Sequence, residues 1–119
     1  MSKDIPPSVK SEFQASFAYY QRQAHELAKE KGWYERERPP LELLMLIVTE
    51  IAEAAEAFRN DPYAPSKLPE FNQLEEELAG AVIRIMDMAE VYNCHLSEAI
   101  IEFHEYNRTR PYRHGGKKY

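Results

Sequence analysis

The chain has 119 residues, 44% of them hydrophobic and 29% charged, with a formal net charge of −5. That length suits one domain with one hydrophobic core, and the composition excludes a disordered or fibrous chain. The longest apolar run, Leu43 to Val48, is far short of the roughly 20 residues a bilayer-spanning helix needs. No membrane partner is therefore expected. Residues 1–10 lack the apolar core of a signal peptide, which makes a cytoplasmic location the expectation. Cys94 is the only cysteine, which excludes an intrachain disulfide and a cysteine-based zinc cluster. From Asn107 to Tyr119 the chain carries five of its fifteen basic residues and none of its twenty acidic ones, so an acidic body ends in a basic tail.

The first periodic segment runs from about Val9 to Lys31, with Phe13, Phe17, Tyr20, Ala24 and Leu27 recurring at spacings of four and three. This predicts an amphipathic helix. Gly32 supplies its stop, and Trp33 opens a linker rich in Glu and Arg. Pro39 and Pro40 suit a helix start, because proline has no N–H and the first turn needs none. The second helix is expected from Leu41 to about Asn60, and its nearly all-round apolar surface predicts burial. A polar, proline-broken connection follows. Pro69 then marks the start of a third helix, about Glu70 to Tyr92, closed by Asn93 as a left-handed cap. A fourth helix begins near Ser97 as its N-cap and runs towards Arg108. Pro111 and the Gly115-Gly116 pair end the chain in irregular structure. The expected architecture is a single all-α domain over residues 1–119, a four-helix bundle with a basic tail from about Asn107. Its short apolar helices are covered poorly by one protomer, which predicts a homo-oligomer.

The second helix carries Glu50, Glu53 and Glu56 three residues apart among apolar neighbours. Glu50 and Glu53 share a face, one turn apart, where an isolated ionised carboxylate is costly. A bound cation offsets that cost, and paired carboxylates suit Mg²⁺, whereas an exposed edge of an alanine-rich helix would need no ion. On the third helix Glu77, Gly80, Arg84 and Asp87 fall at a 3-4-3 spacing and form one polar stripe. Facing Glu50 and Glu53, that stripe would make a charged cleft. Arg84 in it would meet a phosphate or pair with a glutamate.

Glu50-Ile51-Ala52-Glu53, followed by Glu76-Glu77-Leu78-Ala79-Gly80, resembles the ExxE…ExxD signature of the MazG-like nucleoside triphosphate pyrophosphohydrolase superfamily. Gly32-Trp33, Ala81-Val82-Ile83-Arg84 and the ending Asn107-Arg108-Thr109-Arg110-Pro111-Tyr112-Arg113-His114-Gly115-Gly116-Lys117 strengthen the likeness, which spans roughly Phe13 to Lys117. The resemblance implies a helical dimer or tetramer that hydrolyses a nucleoside triphosphate, often a deoxynucleotide, between the α and β phosphates. It assigns Glu50, Glu53 and Glu77 as catalytic and metal-binding carboxylates for Mg²⁺, with Mn²⁺ as the alternative ion. It places Arg84, Asn107 and Arg110 on phosphate oxygens and Trp33, with His25, at the base. The tail would then serve phosphate and not a specific nucleic acid.

One position departs from the signature: its last aspartate falls at Gly80, which has no side chain to offer a metal. The alternative expectation is a catalytically impaired relative that still binds nucleotide. An aspartate restored at residue 80 would, on spacing alone, add a ligand. A di-iron bundle would need Glu-x-x-His pairs and a zincin His-Glu-x-x-His; neither occurs.

Overall fold

A computed structural model describes residues 3–119, and among them every regular element is a helix. These are α1 (Pro7–Glu30), α2 (Pro40–Arg59), α3 (Gln73–Val91), α4 (Leu96–Thr109) and the four-residue α5 (Arg113–Gly116). None is long and apolar enough to cross a membrane. The chain divides into two compact units, one spanning Tyr20–Cys94 and the other joining the segment up to Tyr19 with His95–Tyr119.

In the Tyr20–Cys94 unit, α2 and α3 pack against each other. They run antiparallel, because Glu50 meets Arg84 late in α3 whereas Glu53, one turn further along α2, meets Glu77 early in it. Proline sits at the start of α2 as expected. The start of α3 differs from expectation. Residues 69–71 remain in a turn, and the helix opens at Asn72, whose side chain accepts from the Glu75 amide at 2.9 Å while Glu75 accepts from the Asn72 amide at 3.1 Å. This reciprocal pair satisfies two amides that a proline three residues earlier cannot reach. Asn93, at φ 54°, turns the chain out of α3. At the end of α1, Gly32 adopts φ 88°, and the Trp33 amide reaches back to the Ala28 carbonyl at 3.0 Å. A side chain at residue 32 would be strained there.

The expected burial of α2 is not met. Leu43, Ala54 and Ala57 are buried, but Leu41, Leu44, Met45, Val48, Ile51 and Phe58 are all exposed, Leu41 to 74%. At about 100° per residue these six fall on one side of the helix and form one outward stripe, while the opposite face packs on α3.

In the other unit, Lys10 and Glu105 approach to 3.5 Å, Arg108 pairs with Asp4 at 2.6 Å, and Gln14 donates to Glu98 at 3.0 Å. Ser97 is not the cap of α4. His95 holds that position without a side-chain bond, and Ser97 is buried in the first turn. In α5, Arg113, His114, Gly115 and Gly116 all have positive φ, so this segment is a left-handed turn and matches the irregular ending read from the sequence.

Candidate functional site

The chemistry of the Tyr20–Cys94 unit concentrates between α2 and α3. Glu50, Glu53 and Glu77 each bring a carboxylate oxygen within 4.8 Å of the others. Glu50 and Glu77 are half-buried and Glu53 is exposed. Burial, followed by the neighbouring Glu53 and Glu50 carboxylates, pushes the Glu77 carboxyl up to about 7. Removing water from a carboxylate and placing like charges beside it both favour the protonated form. A divalent cation reverses both effects, and three hard oxygen donors at this separation fit such an ion.

Arg84 Nε donates to Glu50 Oε1 at 2.8 Å. Of the two roles open to Arg84 in the sequence, the pairing with a glutamate is the one present, and it uses one of the two Glu50 oxygens. The other, Oε2, rests on Gly80. A Cβ at residue 80 would lie 2.7 Å from Glu50 Oε2 and 3.1 Å from its Cδ. Gly80 is therefore where the Glu50 carboxylate packs, and any side chain there would displace it.

A cavity of about 360 Å³ adjoins this pair. Glu50, Gly80, Arg84 and Asp87 line one side of it, and Trp33, Tyr34, Arg38 and Lys31 come from the end of α1 and the following linker. Leu27, Leu43, Leu46 and Ile83 supply apolar surface. The volume falls within the range of small-molecule sites, roughly 300–1,000 Å³. The turn at Gly32 is what brings Trp33 and Tyr34 to the cavity. Trp33 is half-exposed, and its backbone carbonyl accepts from Arg38 Nε. The Arg38 guanidinium lies 5.4 Å from the Trp33 ring centroid and also donates to Glu42 at 3.0 Å. Cation, aromatic and carboxylate thus hold one another in place.

At the far end of the α3 stripe, Asp87 Oδ2 accepts from the Tyr34 hydroxyl at 2.8 Å, and Oδ1 lies 2.8 Å from His25 Nδ1. Burial first, and then the bond to Asp87, raises the Tyr34 hydroxyl well above its ordinary value. The His25 ring meets the Tyr34 ring edge-on at 4.8 Å.

The structure thus brings together Glu50, Glu53, Glu77, Arg84 and Trp33 as read from the sequence. His25 does not line the cavity; it stands behind Asp87, which does. Asn107 and Arg110 belong to the other unit, Asn107 in the last turns of α4 and Arg110 with its guanidinium 5.4 Å from the Tyr106 ring centroid. Lys31, Tyr34, Arg38 and Asp87 have no role that the sequence alone assigns. Asp87 has a signal in the 3-4-3 stripe, whereas the linker residues carry no periodicity that would point inward.

Comparison of the chain with protein-family models, with curated proteins and with solved structures finds no match in any of the three.

Proposed function

We propose that the protein is a metal-dependent nucleoside triphosphate pyrophosphohydrolase of the MazG-like kind, converting a nucleoside or deoxynucleoside triphosphate to its monophosphate and pyrophosphate. The observation that carries this reading is that the three-carboxylate cluster and the cavity share Glu50. A planar base against Trp33 then extends its phosphates past Arg84 towards the carboxylates. Lys31, Arg38 and Arg84 add positive charge along the cavity, which a polyanion requires. Mg²⁺, or Mn²⁺ in its place, held by Glu50, Glu53 and Glu77 would supply charge neutralisation for the phosphates. One of the same three carboxylates accepts the proton of the attacking water. The water oxygen bonds to the α phosphorus as the bond from that atom to the α–β bridging oxygen breaks, and pyrophosphate leaves with the electron pair. Arg84 exchanges Glu50 for a phosphate oxygen as the ligand arrives.

The engagement of Arg84 by Glu50 over Gly80 favours a second reading, a nucleotide-binding relative that does not turn over. Pyrophosphate release from a panel of nucleoside triphosphates with Mg²⁺ separates the two. Release that disappears with chelator supports the enzyme. A melting temperature raised by Mg²⁺ with a nonhydrolysable triphosphate, but without release, supports the binding relative. No shift and no release would leave the glutamates as a solvated helix edge and refute both readings.

We further propose that the protein is a homo-oligomer, dimer or tetramer, through the outward stripe of α2. Six large exposed apolar side chains share one helix face, and a contiguous apolar patch rimmed by polar residues is the usual mark of an interaction surface. Light scattering at micromolar concentration should give at least twice the protomer mass. Glu in place of Val48 and Ile51 should return the protomer mass with helicity kept. A wild-type protomer mass over that concentration range would refute the proposal.

A further inference from the structure

One guanidinium fastens the linker between α1 and α2. Arg38 lines the cavity with 14% of its side chain exposed. Its Nε donates to the Trp33 carbonyl, its Nη1 donates to Glu42 Oε2 at 3.0 Å, and its Cζ lies over the Trp33 ring, 5.4 Å from the centroid. The other Glu42 oxygen accepts from Arg36 Nη2 at 2.8 Å, so the carboxylate that anchors Arg38 in the first turn of α2 is itself held from a second direction. Trp33 is thus tied at its amide to the Ala28 carbonyl of α1, and at its carbonyl to Arg38 and through it to α2. The Trp33 residue is nevertheless 53% exposed. A ring that open has few packed neighbours to fix its rotamer, and a ring left mobile costs a planar ligand the entropy of immobilising it.

We propose that Arg38 is a positioning residue of this cavity: it holds the Trp33 ring in place before a ligand arrives, and acts on the ligand through that ring and not by a bond of its own. The inference rests on the reading of the cavity as a nucleotide site with its base against Trp33. Arginine suits the role because its planar fork can lie on a ring and donate along its edges at the same time, whereas an ammonium group is a single point of charge. The comparison with Arg84 separates positioning from phosphate binding. Arg84 is 36% exposed and its guanidinium pairs with Glu50, so it gives up one bond to reach a phosphate. Arg38 is more deeply set and would give up a carbonyl, a carboxylate and a ring together.

Trp33 is the only tryptophan, so its emission reports that ring alone. Acrylamide quenching and emission anisotropy are measured on the full chain, without ligand, for the native protein, Arg38→Lys and Glu42→Gln. The first variant keeps the charge and loses the planar fork, and the second keeps Arg38 and removes the charge that anchors it. Both should quench more steeply and depolarise more than the native protein. Calorimetry with Mg²⁺ then compares α,β-methylene dATP, which is blocked at the scissile bond, with methylenediphosphonate, which carries no base. A change of local charge acts on both phosphate chains, so the ratio of the two affinities isolates the base. That ratio should fall about fivefold in both variants, the scale of a single cation–π contact. Either variant decides the matter if the other loses its helical spectrum. Quenching unchanged from the native protein overturns the proposal, because the ring then stays in place without Arg38. Quenching that rises while the ratio holds overturns it too, since the contact is then structural only. A ratio that holds while Glu42→Gln binds both ligands more tightly marks Arg38 as a direct phosphate contact, which also overturns it. All three results leave nucleotide binding intact. If the native protein binds neither ligand up to millimolar concentration, the nucleotide reading of the cavity falls and this inference falls with it.

Discussion

Glu77→Gln should melt higher than the native protein in chelator at pH 7.5 and release pyrophosphate about a hundredfold more slowly, or worse, with Mg²⁺. The stability half follows from proton linkage. The Glu77 carboxyl is pushed up to about 7 in the folded chain, from an ordinary value of 4.5, by burial and by Glu53 and Glu50. The folded state therefore holds this proton more tightly than the unfolded state does. The resulting stability is fully present below pH 4.5 and is lost as pH rises through about 7. Glu26, Glu42 and Glu105 are shifted the opposite way, so their titration lies below this window and does not mask it. Glutamine keeps the shape and hydrogen-bonding capacity of the protonated side chain at every pH. A tenfold change in proton affinity corresponds to roughly 1.4 kcal/mol; discounted for the solvent that still reaches the cluster, the gain should be about 2 kcal/mol. For a chain of this size that is roughly 8 °C. The catalytic half follows because the amide is a poor ligand for a hard cation and cannot take a proton. Thermal melts from pH 5 to 8 and a pyrophosphate assay give both quantities. If the variant and the native protein melt together across that range, the three carboxylates are not crowded and the cluster loses its claim to a cation.

Substitution at Gly80 should change the site through Glu50 and not through the new side chain alone. A Cβ there would lie 2.7 Å from Glu50 Oε2, closer than two such atoms can stand. The flexible end of Glu50 must move, and its 2.8 Å bond to Arg84 must lengthen or break. Gly80→Ala gains roughly 1 kcal/mol of helix propensity and loses part of an ion pair, so its melting temperature should stay near that of the native protein. Its Mg²⁺ affinity should fall about tenfold, since a ligand has been displaced and none added. Gly80→Asp, which spacing alone presents as a restored ligand, exchanges one carboxylate position for another and should bind Mg²⁺ no more tightly than the native chain. It should also melt several degrees lower in chelator, because a fourth like charge joins the cluster. Calorimetric Mg²⁺ titration of the three proteins provides the comparison. A tenfold gain for Gly80→Asp would mean that Glu50 has room elsewhere and that residue 80 is a vacant ligand position.

The parts legible in the sequence are those set by repetition along a helix or by a backbone requirement. The 3-4 spacing in α1, the prolines before α2, the positive φ of Gly32 and the cap at Asn93 all stand where the pattern puts them. So do the three glutamates, because a helix fixes which of its residues share a face. Pro69 points to the wrong start for α3 because Asn72 and Glu75 form a better cap. Ser97 offers a cap by type and is buried instead. The stripe spacing offers Arg84 a glutamate as partner, but that the partner is Glu50 and that its carboxylate packs on Gly80 is invisible along either helix, since it depends on how α2 and α3 are rotated against each other. The same holds for Tyr34 and Arg38, whose places follow from one turn at Gly32 that aims the linker at α3. The all-round apolar character of α2 points to burial, whereas half of it lies open in a single chain.

That open face has a calorimetric consequence. Among the described residues, the buried hydrophobic ones are Leu43 and four alanines, Ala54, Ala57, Ala81 and Ala89, while a typical domain of this length unfolds with a heat-capacity increase of roughly 1.4–1.8 kcal/mol/K. That increase arises chiefly from apolar surface meeting water, and a chain that has already exposed Leu41, Leu44, Met45, Val48, Ile51 and Phe58 has less of it left to release. The isolated protomer should thus show a flat stability curve, with a small heat-capacity step and little curvature between cold and heat. An assembly that covers the α2 stripe recovers the missing step only by coming apart as it unfolds. Its melting then becomes a reaction of more than one molecule, and the transition climbs in temperature as the protein is concentrated.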